Sequence, residues 1–139
     1  MVLEIKPAER QERIKKIQDE MKKRDLDAYL IHSTQSDFAS VLYLSNHSPV
    51  WESIGVLIPK EGEAILLIGP EAEPFAQGRS TIKKIVKMTE YRESAEPDYP
   101  GVPVGSFKEL FDEISGGKGV NRLGLGDYTI MPLPAAEPH

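Results

Sequence analysis

Hydrophobic and polar positions change period several times along the chain, and each change marks an element. From Pro7 to Arg24 the apolar residues Ile14, Ile17 and Met21 recur at helical spacing, while Glu12, Lys15, Lys16, Glu20 and Lys22 take the other side. That is the pattern of an amphipathic helix. Pro7 suits its first turn, where a missing N–H costs nothing, and Glu9–Arg13 and Glu12–Lys16 add support one turn apart. Arg24-Asp25 ends it. Ala28-Tyr29-Leu30-Ile31 is apolar at successive positions, which predicts a strand covered on both faces at the centre of a sheet. Thr34 and Asp37 form a capping box with Asp in place of Glu, and Phe38, Val41, Leu42 and Leu44 give a second helix running to Ser45.

Beyond the polar loop Asn46 to Glu52, the apolar runs Gly55 to Pro59 and Ala64 to Ile68 are joined by Lys60-Glu61-Gly62-Glu63. A short connection with a turn glycine predicts an antiparallel hairpin. Glu71 to Gln77 reads as a short helix opening near Pro70 and limited by Pro74 and Gly78. Ile82 to Met88 sets Ile82, Ile85 and Val86 among Lys83, Lys84 and Lys87, the pattern of an edge strand guarded by lysines. Glu90 to Pro103 is rich in proline and charge and reads as a surface loop. Ser106 and Glu109 make a capping box, Phe107, Leu110, Phe111 and Ile114 the buried stripe, and Gly116-Gly117 the stop. Arg122 to Gly126 is the last strand. The order helix, strand, helix, hairpin, helix, strand, helix, strand implies an α/β fold, a mixed parallel and antiparallel sheet layered with helices.

Composition narrows the picture without deciding it. A length of 139 residues with 40% hydrophobic content suits one domain with its own core. No window is long and apolar enough to span a bilayer and no signal-peptide run opens the chain, so a cytoplasmic protein without a membrane partner is expected. The absence of cysteine removes disulfides, thiolate metal sites and cysteine nucleophiles. A net charge of -5 argues against nucleic acid as a partner, since phosphate binding needs a basic face.

Candidate chemistry is sparse. The histidines His32, His47 and His139 fall at a strand end, in a loop and at the terminus, with no paired spacing of the HExxH kind, so they read as solvated surface residues rather than metal ligands. No G-x-S-x-G elbow accompanies a nucleophile. Gly116-Gly117-Lys118-Gly119 follows a helix and reads as its C-cap rather than a phosphate cradle, and Gly124-Leu125-Gly126 lacks the dinucleotide pattern. Asp27, Asp37 and Glu52 do not make a nuclease cluster in so acidic a chain. No catalytic residue is assigned. The loop Asn46 to Glu52 gathers polar, titratable and aromatic groups, including the only tryptophan. One reading makes it a connection whose Trp51 covers the core edge. The other makes His47, Trp51 and Glu52 a substrate-access or interface surface, because aromatics beside charges favour interface centres.

The ordered elements resemble the N-terminal domain of the creatinase, prolidase and aminopeptidase P family of metallopeptidases. The resemblance is carried by Arg13-Ile14-Lys15-Lys16-Ile17 through Met21, then Arg24-Asp25-Leu26-Asp27-Ala28-Tyr29-Leu30-Ile31, then Tyr43-Leu44-Ser45. It continues through Gly55-Val56-Leu57-Ile58-Pro59 and ends at Arg122-Leu123-Gly124-Leu125. It implies a ribonuclease-H-like arrangement over residues 1–130, with 131–139 starting a linker to a C-terminal catalytic domain. In such proteins that second domain holds a dinuclear divalent metal centre (manganese, cobalt or zinc), and no metal or cofactor ligand is carried onto this chain. The implied partners are the catalytic domain, a second copy in a homodimer and a proline-containing peptide substrate. The implied function is dimerisation and substrate access in an Xaa-Pro peptidase. The domain of a creatinase-like amidinohydrolase, or a stand-alone small-molecule or protein binding module, is the alternative.

Overall fold

The computed structural model describes residues 5–34, 39–48, 53–91 and 103–126. The elements are α1 (Pro7–Lys23), β1 (Ala28–Ser33), α2 (Ala39–Ser45), β2 (Ile54–Pro59), β3 (Ile65–Ile68), α3 (Glu73–Arg79), β4 (Lys84–Lys87), α4 (Phe107–Ile114) and β5 (Leu123–Leu125). A 3-10 turn occupies Thr89–Tyr91. The strands form one sheet in the order β4-β3-β2-β1-β5. The hairpin β2–β3 is antiparallel, as its turn residues predict, and β1 pairs antiparallel with β2 and parallel with β5. β4 lies at one edge, parallel to β3.

The sheet is two-sided because its strands alternate between two cores. Ile31, Ile54, Val56, Ile58, Leu66 and Ile68 face α1, α2 and α3, where Met21, Val41, Leu44 and Ala76 meet them. Ala28, Leu30, Leu57, Ile65 and Leu67 face the other way, toward Leu110 of α4 and Tyr91. Every residue of β2 and β3 is buried. β2, not β1, occupies the middle of the sheet. The apolar run of β1 indicates cover on both faces, which it has, but successive apolar positions do not rank interior strands.

Local signals account for most element ends. Pro7 stands at the start of α1, and the helix closes with Leu26 N–H on the Met21 carbonyl at 2.9 Å and Asp25 at φ 57°. The Ser106 side chain accepts from the Glu109 amide at 3.2 Å. The Gly117 amide donates to the Asp112 carbonyl at 2.7 Å, and Gly116 and Gly117 both have positive φ, the left-handed helix stop that favours glycine. For α2 the expected Thr34–Asp37 cap requires Asp37, which lies outside the described residues. The Val41 amide donates to Ser33 Oγ at 3.1 Å, from the end of β1. Trp51, Glu52 and the linker residues 131–139 also lie outside the described residues.

Candidate functional site

The end of the sheet where β1 finishes and β2 begins carries the candidate site. Ser33 pairs with Ile54 and His32 with Gly55, so the chain leaves through α2 and returns from the 46–52 loop beside the same two strand ends. Gly55 is required there. A Cβ at this position would stand 2.6 Å from Tyr91 Oη, and the missing side chain is the space into which Tyr91 packs over the sheet. Tyr91 hydroxyl and His32 Nε2 are hydrogen-bonded, and the two rings stack with centroids 5.2 Å apart and planes 20° from parallel. Burial holds the His32 ring below the ordinary imidazole range, which favours the neutral ring that can accept from the tyrosine.

This corrects two expectations. Tyr91 is a buried core residue, although the stretch from Glu90 to Pro103 reads as a surface loop. Its neighbours on both sides are polar or charged, so no periodicity announces it. The glycine inside an otherwise bulky apolar strand was the available signal, since it marks a close approach. His32 and His47 are not solvated surface residues either. His32 is half-buried, and His47 is 1% exposed.

The root of the 46–52 loop is fixed by polar contacts to three helices. Asn46 adopts the left-handed conformation at φ 63° just after α2. Its Oδ1 accepts from Arg10 Nη2 at 3.0 Å and its Nδ2 donates to the Arg79 carbonyl at 3.2 Å. Arg10 Nη1 caps the C-terminus of α2 by donating to the carbonyls of Leu42 and Tyr43, at 2.5 and 3.1 Å. Ser45 Oγ donates to the Val41 carbonyl at 2.6 Å and accepts from the His47 amide at 3.1 Å. The His47 ring then turns into the protein. Its Nδ1 is buried without a hydrogen bond, and burial, with the Arg79 charge second, lowers its pKa. Of the three loop residues singled out by sequence, His47 is therefore an anchor beneath the loop.

Arg10 was missed as a site residue. It is 5% exposed and stands at the next position of the stripe that continues through Ile14, Ile17 and Met21. A charged residue in phase with an apolar stripe was the signal. Among the described residues no three His, Asp or Glu side chains come together as a metal would need. This part of the chain holds the root of a loop in place.

A family model of the creatinase/prolidase N-terminal domain matches residues 13–133. The chain belongs to the creatinase/prolidase N-terminal domain family. The fold agrees. The prolidase from Pyrococcus furiosus superposes with a TM-score of 0.55 at 17% identity over 88% of this chain and 30% of that one. The Xaa-Pro dipeptidase from Bacillus anthracis gives 0.55 at 15% identity over 91% and 30%. The N-terminal domain of the cytoplasmic peptidase PepQ from Mycobacterium tuberculosis H37Rv gives 0.56 at 20% over 89% and 79%. This creatinase/prolidase N-terminal domain thus spans 30% of the length of either of the first two proteins. No curated protein matches the chain.

Proposed function

We propose that this chain is the non-catalytic N-terminal domain of a cytoplasmic, metal-dependent Xaa-Pro peptidase, serving dimerisation and substrate access. The observation that carries the reading is the family match across residues 13–133. The mixed sheet accords with it. In this reading the metal centre and the bond-breaking groups belong to a catalytic domain, and the 46–52 loop is presented to the active site of the neighbouring subunit. His47 and Asn46 secure its root, and Trp51 and Glu52 are the side chains offered to substrate. A tryptophan face suits packing against a proline ring. Because the matching family takes its description from creatinase as well as prolidase, a creatinase-like amidinohydrolase is the second reading. Assaying the full-length protein on Xaa-Pro dipeptides and on creatine separates the two.

Mixed dimers of the full-length protein test the loop. One subunit carries a disabled metal site, and the Trp51→Ala, Glu52→Ala pair is placed either on that subunit or on its partner. Action across the interface keeps the split dimer active, since the intact loop of the metal-dead subunit faces the live site, and silences the dimer with both defects on one subunit. Action within a subunit gives the reverse pair of outcomes. Equal activity in both dimers, matching a metal-dead control with two intact loops, would reduce the loop to a connection.

A further inference from the structure

A cavity of about 510 Å³ opens between the N-terminus of α1, the C-terminus of α3 and the segment leading to β4. Its lining includes Arg10, Arg79 and Lys83 together with Asn46, Ser80 and Thr81, and no Asp or Glu among the described residues. The chain as a whole is acidic, with 22 acidic and 17 basic residues. Several cations elsewhere meet carboxylates: Lys87 pairs with Glu73 at 2.7 Å, Arg13 with Glu9 at 3.0 Å, and Lys84 with Glu113. Arg79 and Lys83 form no ion pair among the described residues. Arg10 is 5% exposed, yet its three hydrogen bonds go to neutral oxygens, and its Nε is buried without a bond. A buried guanidinium normally has a carboxylate beside it, because desolvation of the charge is otherwise uncompensated. The carbonyl end of α2 and the charge of neighbouring Glu9 offset part of the Arg10 charge. Arg79 and Lys83 are exposed at the rim of the cavity.

We infer that this cavity is a binding site for a small oxyanion of the carboxylate or phosphate class. Arg79 and Lys83 supply the contacts and Arg10 is the fixed positive floor. Charge-assisted hydrogen bonds from a guanidinium and an ammonium suit both anions. A concave surface bearing one sign of charge concentrates the opposite ion. Thr81 adds a neutral polar group to the same wall, whereas the buried Ser80 hydroxyl is engaged with the Ile82 backbone. The site also adjoins the root of the 46–52 loop, since Asn46 bonds both to the Arg10 side chain and to the Arg79 backbone. The inference does not depend on the peptidase reading.

The test uses the 139-residue chain and follows its amide proton–nitrogen correlation spectrum during titration with inorganic phosphate and, separately, acetate. Sodium chloride holds the ionic strength constant. Saturable shifts are expected at the backbone amides of residues 78–83 and at the Asn46 side-chain amide, with chloride alone producing none. The anion that saturates at lower concentration assigns the class. Replacing Arg79 and Lys83 together by glutamine should weaken binding about tenfold or more, the scale of a lost charge-assisted hydrogen bond, while the remaining spectrum keeps its dispersion. Lys83→Glu supplies an internal carboxylate, and is expected to raise the melting temperature without added anion and to abolish the phosphate response. Shifts that never saturate with either anion, or a glutamine variant that binds as the parent does, would overturn the inference. So would a Lys83→Glu protein that still responds to phosphate.

Discussion

Leu30 shows how little latitude a single position has in a two-sided sheet. It lies in register with Leu57 on one side and Leu125 on the other, and its side chain is buried in the α4-facing core. Leu30→Asp places a carboxylate there without a partner, and a loss of roughly 3–5 kcal/mol is expected. Urea denaturation measures it, and an unchanged midpoint would remove Leu30 from the core. The histidines act on the same quantity through pH. His32 and His47 both have folded pKa values lowered, first by burial. As pH falls through about 6.5 the unfolded chain takes up protons that the folded chain refuses. Their effect on stability is therefore absent above that pH and grows as a loss below it, down to the folded values. Melting temperature should fall across this window, and less steeply in His47→Gln. Asp27 adds a separate step at lower pH. Its carboxylate is held below the ordinary range by the amides of Arg122 and Asn121, so its contribution is present above about 3.9 and lost as pH falls through the folded value.

Elements were legible wherever a local device sets them. The stripe of α4, its serine cap and its double-glycine stop are all written within a dozen residues, and Ser106→Ala should cost about 1 kcal/mol in chemical denaturation, the scale of a lost N-cap. A cost near zero would show that water serves the Glu109 amide equally well. The edge position of β4 was equally readable. Its lysines lean to opposite faces, Lys84 to Glu113 of α4 and Lys87 to Glu73 of α3, and so tie the strand to both helical layers while guarding its edge. Devices that join distant parts of the chain were not legible. The cap of α2 comes from Ser33 in a strand, the tyrosine over Gly55 arrives from 36 residues later in the sequence, and Arg10 reaches α2 across |i−j| of 32. Period and capping rules read neighbours along the chain. These residues acquire their roles only once the sheet has brought them together, which is why the anchored root of the 46–52 loop escaped the sequence while the loop itself did not.

At the scale of the whole molecule, the layered sheet with its fixed loop root reads as a platform. The 139-residue chain is expected to release no proline from Xaa-Pro dipeptides, with or without added manganese or cobalt, since the described residues gather no metal ligands and metal-assisted hydrolysis needs a held ion with an open position. Metal-dependent turnover by rigorously purified chain would overturn this. The β1–β5 pairing has a consequence for the order in which the platform is built. Asn121 and Arg122 reach back to the Asp27 carboxylate, each at 2.9 Å, and the first of these bonds spans |i−j| of 94. Closing so long a span is entropically costly until the intervening structure exists. During synthesis β1 can therefore pair with β2 early, but its other edge stays open until the segment around residue 125 has left the ribosome. For most of its translation the nascent domain presents an uncovered strand edge, the kind of surface that chaperones bind and that misfolded neighbours extend.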